Sequence, residues 1–302
     1  MSRWDWQALN LPPCGLAESP RFAHGQWAWV DIQARVLYRL QQEALLPNTD
    51  LTRVHALPLP DEIGCVLPTA MPEDWVLLGR QGVWHLHQET CRLVQHAPFD
   101  SRTHRYNDGR ADALGRIWIS TLVDARTPAS AALYRIQTTQ PTLQVPGLIV
   151  GNGLAFSPSG NSMFLSDTRH KIIWRFNYNS STGELGERTV VKQYTEGTAR
   201  PDGACFSDDG SYWVAVLEGY RLDRFSELGE YIESIPVPLA KPTMPCFGGP
   251  GRNTLLVTGA SASSEFPNQA GFERISLVAC HTRFTGMPEA HAKPFWPHTH
   301  LE

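Results

Sequence analysis

The chain is divided into short runs in which apolar and polar positions alternate. These runs are rich in Val, Ile, Trp, Tyr and Phe, and 24 glycines and 23 prolines, spread along 302 residues, separate them. A sustained helical period of apolar residues is hard to find. Alternation with a period of two, bounded by turn-forming residues, is typical of β-strands. The pattern therefore predicts a chain built almost entirely of short strands.

One run recurs along the chain as a polar turn followed by an apolar strand. In the clearest copies the turn contains a glycine, and the spacings between these glycines are 45 and 50 residues, at Gly115, Gly160 and Gly210. Weaker copies begin at His24, Glu73 and Gly251. A further apolar strand follows in most copies, at residues 36–40, 83–86, 132–136, 173–176 and 221–225. The chain therefore contains six copies of one unit.

A repeat near 45 residues made only of strands predicts an all-β fold, a six-bladed β-propeller with four-stranded antiparallel blades around a central channel. One blade cannot bury both of its faces alone, whereas six blades around an axis cover one another. A β-sandwich with coincidentally spaced turns is the alternative. We expect one domain over residues 1–300, and we interpret Leu301 and Glu302, after a His-rich run, as a remnant of cloning.

Composition and charge narrow the functional classes. Hydrophobic residues make up 42% of the chain and charged residues 19%, and the net charge is −4. Nucleic-acid-binding domains are normally basic, so we expect no nucleic-acid partner. No run reaches the ~18 consecutive apolar residues of a membrane helix, and none resembles a signal peptide. The six cysteines form no CxxC pair, so we expect a cytoplasmic protein with reduced thiols and no membrane partner.

Three oxygen-bearing side chains occupy matching positions ahead of the turn glycines. Asn152 and Asp202 each precede their glycine by 8 residues, and Glu18 precedes Gly25 by 7. Taken singly, Glu18 is also compatible with a surface carboxylate, and the other two with turn residues. Equal phase in different blades means equal depth in the channel, so together they predict one converging site.

The chemistry of these side chains indicates a metal ion. Carboxylate and amide oxygens are hard donors that suit Ca²⁺, Mg²⁺ or Mn²⁺, and Zn²⁺ also accepts carboxylate oxygens. We predict one divalent cation, with Ca²⁺ as the first choice, held by Glu18, Asn152 and Asp202.

A fourth blade brings two more polar residues to the same level. Asn107 precedes Gly115 by 8 residues, and Arg105 lies two residues earlier, on the same face of an extended strand. An arginine that lines the channel suits an oxygen-rich substrate. An ion pair between Arg105 and a neighbouring carboxylate such as Asp108 is the alternative.

The motifs around these residues resemble the senescence marker protein/regucalcin and gluconolactonase family over nearly the whole chain, from about Gly15 to Ala260. The segments that carry the resemblance are 16–20 (Leu-Ala-Glu-Ser-Pro), 105–109 (Arg-Tyr-Asn-Asp-Gly), 152–158, 201–203 (Pro-Asp-Gly) and 246–250 (Cys-Phe-Gly-Gly-Pro). The resemblance implies a six-bladed propeller that hydrolyses a sugar lactone such as gluconolactone. It also implies a divalent cation on the three predicted ligands, and contacts to the substrate from Arg105 and Asn107.

The sequence departs from the family at two neighbouring places. Residues 120–122 read Ser-Thr-Leu where the family often has Gly-Thr-Met. Some members then have a glutamate that reaches the substrate, and the nearest position here is Ala125, beside Asp124. We expect Asp124 to replace that glutamate as a substrate contact, or the contact to be absent, which leaves the identity of the sugar open.

We expect metal-dependent hydrolysis of a small sugar lactone by a monomer or weak homo-oligomer, with Asp202 as the general base. A phosphotriesterase with a similar metal centre is an alternative, although its pocket should be more apolar than one lined by Arg105 and Asn107. A non-catalytic calcium-binding protein would need the same three ligands. An interaction scaffold would not need them.

Overall fold

The computed structural model describes residues 4–9, 11, 13–41, 45–46 and 49–296. These residues form 24 strands in six four-stranded antiparallel sheets, with two short 3₁₀ helices. The predicted six-bladed β-propeller is confirmed, and the sandwich alternative is wrong. The boundary at residue 300 stays a prediction, since Leu301 and Glu302 lie outside the described residues.

The blades follow one another along the chain, and each runs from the channel outward. Strand β1 (Gln7–Ala8) precedes them. The strands of blades one to three are β2 (Ala17–Ala23), β3 (Gln26–Asp31), β4 (Val36–Leu40), β5 (Val54–Pro58), β6 (Ile63–Pro68), β7 (Asp74–Gly79), β8 (Gly82–His87), β9 (Thr90–His96), β10 (His104–Ala111), β11 (Ile117–Val123), β12 (Ala131–Ile136) and β13 (Thr142–Leu148).

Blades four to six complete the ring. Their strands are β14 (Gly151–Phe156), β15 (Ser162–Asp167), β16 (Ile172–Asn179), β17 (Glu184–Gln193), β18 (Arg200–Phe206), β19 (Tyr212–Leu217), β20 (Arg221–Phe225), β21 (Tyr231–Pro236), β22 (Pro242–Gly248), β23 (Thr254–Gly259) and β24 (Leu277–His281). The 3₁₀ helices are Leu51–Arg53 and Pro250–Arg252, and no helix of the described ranges has the length and apolar character needed to cross a bilayer.

The two ends of the chain meet in blade six. Strand β1 pairs with β24, with Gln7 opposite Ala279 and Ala8 opposite Val278, and it is the outermost strand of that blade. The innermost strands β2, β6, β10, β14, β18 and β22 contact one another in a closed ring. The ring is therefore closed by strands from both ends, which leaves only short edges exposed.

The predicted repeat turn joins the first and second strands of a blade. The amide of Gly115 donates a hydrogen bond to the carbonyl of Asp112 over 2.8 Å, and Gly160 and Gly210 make the equivalent bonds over 3.0 and 3.1 Å. The φ angles of these glycines are 80°, 72° and 82°, which side chains with a Cβ rarely adopt. In these three blades, the hairpin that orients the innermost strand thus requires a glycine at the turn.

Buried aromatic residues on the second strands fill the space between the blades. The indoles of Trp75, Trp118 and Trp213 are fully buried on β7, β11 and β19, and Phe164 is buried on β15. Each packs in an apolar cluster that contains residues of two neighbouring blades. Burial of such side chains stabilises a fold by about 2–3 kcal/mol each.

The turn of blade three is held by a buried carboxylate. Asp112 accepts hydrogen bonds from Trp118 Nε1 over 2.9 Å and from the hydroxyl of Tyr178, in the next blade, over 2.7 Å. It also forms an ion pair with Arg116, and both side chains are buried. This network links blades three and four at the end of the channel where the turns lie.

A segment after the last strand crosses that same end. In the C-terminal strap, residues 285–293, the amides of Ala292 and Lys293 donate to the carbonyls of Pro68 and Gly115 over 2.8 and 2.9 Å. Glu289 of the strap forms ion pairs with Arg110 over 2.9 Å and with Arg21 over 3.3 Å. The strap therefore closes one end of the channel, and the first residues of the innermost strands lie at the other end.

Removal of the Asp112 carboxylate should destabilise the propeller without touching the other end of the channel. In Asp112→Ala the buried guanidinium of Arg116 loses its partner, and breaking a buried ion pair costs about 3 kcal/mol. Urea unfolding followed by fluorescence measures the loss. Asp100→Ala, an exposed carboxylate paired locally with Arg102, is the control and should leave the midpoint nearly unchanged. Equal midpoints for the two variants would show that the network contributes nothing.

Candidate active site

Each innermost strand contains a β-bulge, and the predicted site residues lie at these bulges. The pairing of β2 with β3 shifts by one residue between Glu18 and Arg21, and the same shift occurs once in each other innermost strand. Glu18 and Asn152 are the last paired residues before their bulges, and Asn107 and Asp202 are the first residues inside theirs. A bulge redirects side chains, so a spacing of 7 or 8 residues from the turn glycine places these residues at similar bends.

Asn152 and Asp202 are in direct contact. The side-chain amide of Asn152 donates hydrogen bonds to Asp202 Oδ1 and, over 3.1 Å, to Thr168 Oγ1. Both residues are buried on adjacent innermost strands. Within the described part of the chain no donor reaches the side-chain oxygen of Asn152. The amide nitrogen therefore fixes the two side chains together and leaves an amide oxygen available.

Glu18 is a third site residue, and its charge acts on Asp202. Its carboxylate accepts a hydrogen bond from the amide of Ser19 over 3.1 Å. Burial raises the pKa of Glu18, and the charge of Asp108 raises it further. Burial also raises the pKa of Asp202, with the charge of Glu18 as the next cause. The bulges thus bring carboxylates close enough to disfavour one another's ionised forms.

Asp108 is the third carboxylate of this group. Its Oδ2 accepts a hydrogen bond from the amide of Leu154 over 2.9 Å, which links β10 to β14. Burial raises its pKa, and the positive charges of Arg110 and Arg21 lower it. Asp108 forms no ion pair with Arg105 in the described residues, so that alternative interpretation of Arg105 is wrong.

Arg105 is oriented by neutral groups instead. Its Nη1 donates to Asn107 Oδ1 over 2.8 Å and to the carbonyl of Tyr106 over 3.0 Å. The amide of Asn107 in turn donates to the carbonyl of Gly151 over 2.8 Å. A Cβ at Gly64 would lie 2.8 Å from Nη1, so the glycine makes room for the guanidinium. Burial lowers the pKa of Arg105 to about 10, with the charge of Arg126 as the second cause.

Asp124 lies at the mouth of the channel in an ion pair with Arg80. Arg80 donates to both carboxylate oxygens, over 2.8 and 3.1 Å, and also binds Glu62 over 2.8 and 3.0 Å. The predicted contact of Asp124 with a substrate stays a prediction. In this arrangement its charge is already compensated by Arg80.

The donor set at the end of the channel fits a hard divalent cation. Two carboxylates, Glu18 and Asp202, and the free oxygen of Asn152 are oxygen donors of the kind that Ca²⁺ and Mg²⁺ prefer. The raised pKa values of the carboxylates indicate negative charge that the protein alone compensates poorly. The described residues contain no group of three or more His, Cys, Asp or Glu side chains arranged to hold a metal. The third donor of the predicted site is the amide oxygen of Asn152, which is not a side chain of those four types.

Sequence reasoning missed several residues of this region. Thr168 and Arg126 come from turns that follow second strands, where no repeat position marks them. Glu289, toward the opposite end of the channel, comes from the C-terminal strap, beyond the sixth repeat. A search for polar residues after the second strand of each blade, equivalent to the search made ahead of the turns, would have found Thr168 and Arg126.

Fold and site together define a six-bladed propeller with a carboxylate-rich site at one end of its channel. Residues 16–261 match the family described as SMP-30/gluconolactonase/LRE-like region. The chain belongs to this family, and the predicted resemblance is confirmed.

Known proteins resemble most of the chain. It is 33% identical to the 6-deoxy-6-sulfogluconolactonase of Pseudomonas putida over 236 residues, which cover 77% of this chain and 78% of that protein. It is 30% identical to regucalcin of Gallus gallus over 169 residues, 54% of this chain and 56% of the relative. The solved structure of a calcium-binding regucalcin from Agrobacterium tumefaciens gives a TM-score of 0.85 at 22% identity, and covers 96% of this chain and 98% of that one. The structural likeness shows the fold.

Neutralising Glu18 should not harm the metal-free protein. In the presence of a chelator we expect Glu18→Gln to melt at or above the temperature of the wild type. Its advantage should grow as the pH rises, because an acid with a raised pKa in the folded state lowers stability above its ordinary titration range. Thermal melts across pH measure this.

Asp31→Asn is the matched control for that experiment. The carboxylate of Asp31 accepts hydrogen bonds from the amides of Gly15, Leu16, Gln33 and Ala34, so its replacement should lower the melting temperature. A similar decrease for Glu18→Gln would mean that Glu18 is a structural residue, and would contradict the charge conflict described above.

Proposed function

We propose that this protein hydrolyses a sugar lactone with the help of one divalent cation held by Glu18, Asn152 and Asp202. The proposal is carried by the direct contact of Asn152 with Asp202 on adjacent innermost strands. It is supported by the charge of Glu18, from another blade, which raises the pKa of Asp202. Family membership supports the reaction class, because a relative at 33% identity is named a gluconolactonase.

The cation would polarise the lactone carbonyl and lower the pKa of a nearby water molecule. Asp202 is the general base in this proposal and takes the proton of the attacking water. Its Oδ1 is held by Asn152, so Oδ2 is the oxygen left to accept a proton. Hydrolysis adds the water oxygen to the carbonyl carbon and breaks the ring C–O bond. The proton taken up by Asp202 passes to the released alkoxide oxygen, which becomes a hydroxyl group. The product is an aldonic acid.

Arg105 and Asn107 would bind the hydroxyl groups of the sugar. The guanidinium of Arg105 is fixed by Asn107 and the backbone. Its remaining N–H donors can therefore bind a substrate with little further loss of conformational freedom. Asp124 is retained as a proposed substrate contact, through the oxygens that Arg80 holds at the channel mouth.

Loss of a carboxylate of the site should abolish turnover. Asp202→Ala and Glu18→Gln are expected to lower kcat/KM for lactones by about 100-fold or more, the usual contribution of a positioned base or metal. Acid release is measured with a pH indicator on D-glucono-, D-galactono-, D-xylono- and L-arabinonolactone, each with Ca²⁺, Mg²⁺, Mn²⁺ or Zn²⁺. The control is Asp100→Asn, in the exposed loop between β9 and β10. Full activity in both site variants would show that the site is misassigned.

A non-catalytic calcium-binding protein is the second candidate. It is favoured by the structural similarity to a protein described as calcium-binding regucalcin, and it would use the same three side chains. Binding of Ca²⁺ without turnover of any lactone in the panel would support it. Including a phosphotriester in the same panel tests the remaining hydrolase alternative, which the polar lining of Arg105 and Asn107 disfavours.

A further inference from the structure

The mouth of the channel is surrounded by arginines. They come from the ends of innermost and second strands, and we call Arg80, Arg105, Arg126, Arg169 and Arg200 the rim arginines. Arg80 is already paired with Glu62 and Asp124. Arg200 forms a two-pronged ion pair with Glu218 over 2.6 and 2.9 Å. The acidic side chains of the rim are therefore compensated by these two arginines.

Arg105 and Arg126 have no such partner. Among the described residues no carboxylate lies within ion-pair distance of either guanidinium. Arg105 is buried and bonds only to an amide oxygen and a backbone carbonyl. Arg126 is half-buried, and its side chain makes one long bond of 3.4 Å to the carbonyl of Val123 in its own turn. Two cations thus lie partly out of water with no carboxylate of the described residues in direct contact.

The backbone holds Arg126 in place. The turn after β11 is closed by a hydrogen bond of 3.0 Å from the amide of Arg126 to the carbonyl of Val123. Arg126 adopts a φ of 60°, in the left-handed region that residues other than glycine rarely occupy. Such conformations often occur at ligand sites. Here the turn fixes the backbone of Arg126, whereas its guanidinium makes only the one long hydrogen bond.

The charges of both neighbouring arginines and carboxylates act on Arg126. Burial lowers its pKa, the charges of Asp124 and Asp202 act in the opposite direction, and Arg169 lowers it again. Arg105 and Arg126 also feel each other's charge. Binding of an anion would stabilise two like charges of this kind, which repel each other and form no ion pair among the described residues.

We propose that Arg126, together with Arg105, recognises an anionic substituent on the lactone, a phosphate, sulfonate or carboxylate group remote from the ring carbonyl. This inference rests on the proposed lactonase function and names its substrate class. A planar guanidinium offers paired N–H donors that match the oxygens of such groups.

Two further observations agree with an anionic substrate. At position 125 the chain has Ala, so the turn that contains Arg126 has only one acidic side chain, Asp124, which Arg80 compensates. The Pseudomonas putida relative is named for a lactone with a sulfonate at its sixth carbon. The net positive charge of the turn that contains Arg126, once Arg80 compensates Asp124, is therefore suited to attract an anion.

The test compares lactones that differ only in one charged group. kcat/KM is measured for gluconolactone and for its analogues with phosphate, sulfonate or carboxylate at the sixth carbon. We expect the wild type to prefer at least one anionic analogue by about 10-fold or more, and this preference to fall about 10- to 100-fold in Arg126→Gln, the usual range for a charge-assisted hydrogen bond. Arg126→Lys should retain part of it, and added salt should reduce it.

Arg188→Gln is the matched control, since it removes the same charge from the outer strand β17, where Arg188 stacks on Trp174. It should leave the preference unchanged. Equal kcat/KM for neutral and anionic lactones in the wild type would overturn the inference and leave the lactonase proposal intact. A preference that survives in Arg126→Gln would also overturn it.

Binding of product acids separates this inference from the proposed reaction. Calorimetry with gluconate and 6-phosphogluconate needs no turnover. Tighter binding of the phosphorylated acid by the wild type, lost in Arg126→Gln, would support the anion site even if no lactone were hydrolysed. Equal binding of the two acids in the wild type would contradict it.

Discussion

The structure depends on how the ring of innermost strands accommodates charge. The strands pack around one axis, and a charge removed from water is costly unless it is paired. Toward the strap, Arg21 and Arg110 face Glu289 and are compensated. Toward the open end, Asp108 shares those arginines. Glu18 and Asp202 form no ion pair among the described residues, and nearby arginine charges offset only part of the cost of their burial. The result is an excess of negative charge at one depth of the channel.

The excess negative charge at this depth of the channel indicates a function that the fold alone does not require. A stable propeller has no structural need for two close, buried carboxylates, and the aromatic residues between the blades already supply the core. Groups that reduce stability are commonly retained where they bind or react. The charges of Arg105, Arg126 and Arg200 act on these carboxylates or are acted on by them, so a ligand bound beside the acidic group also lies near positive charge. This arrangement suits an anionic molecule whose reacting centre is drawn toward a cation.

Much of the fold could be predicted because short local sequence patterns define the repeat. A polar turn followed by an apolar strand recurs once per blade, and counting these units gives six. The turn contains a glycine with positive φ in every blade except the second, whose turn is residues 69–73. Strand β1 has two residues and no alternation, so only its pairing with Leu277–His281 identifies it. The path of the C-terminal strap depends on contacts with Pro68 and Gly115, far away in sequence, which no local pattern reveals.

The candidate site was predictable to the extent that it follows the repeat. Distance from the turn glycine selected Glu18, Asn152 and Asp202, and the bulges explain why that distance matters. Side chains outside the innermost strands were not predictable in this way. Asp124 pairs with Arg80, and Arg126 forms no ion pair among the described residues, because of how neighbouring blades pack. That packing is independent of a residue's distance from the turn glycine.

Calorimetric titration of the metal-free protein with Ca²⁺ and Mn²⁺ tests the metal site most directly. We expect one cation per chain in the wild type, loss of binding in Glu18→Gln and Asp202→Asn, and retention in Asp124→Asn, whose carboxylate is held by Arg80 outside the donor set. Unchanged cation binding in Glu18→Gln and Asp202→Asn, or no binding by the wild type, would contradict a metal centre built from these residues.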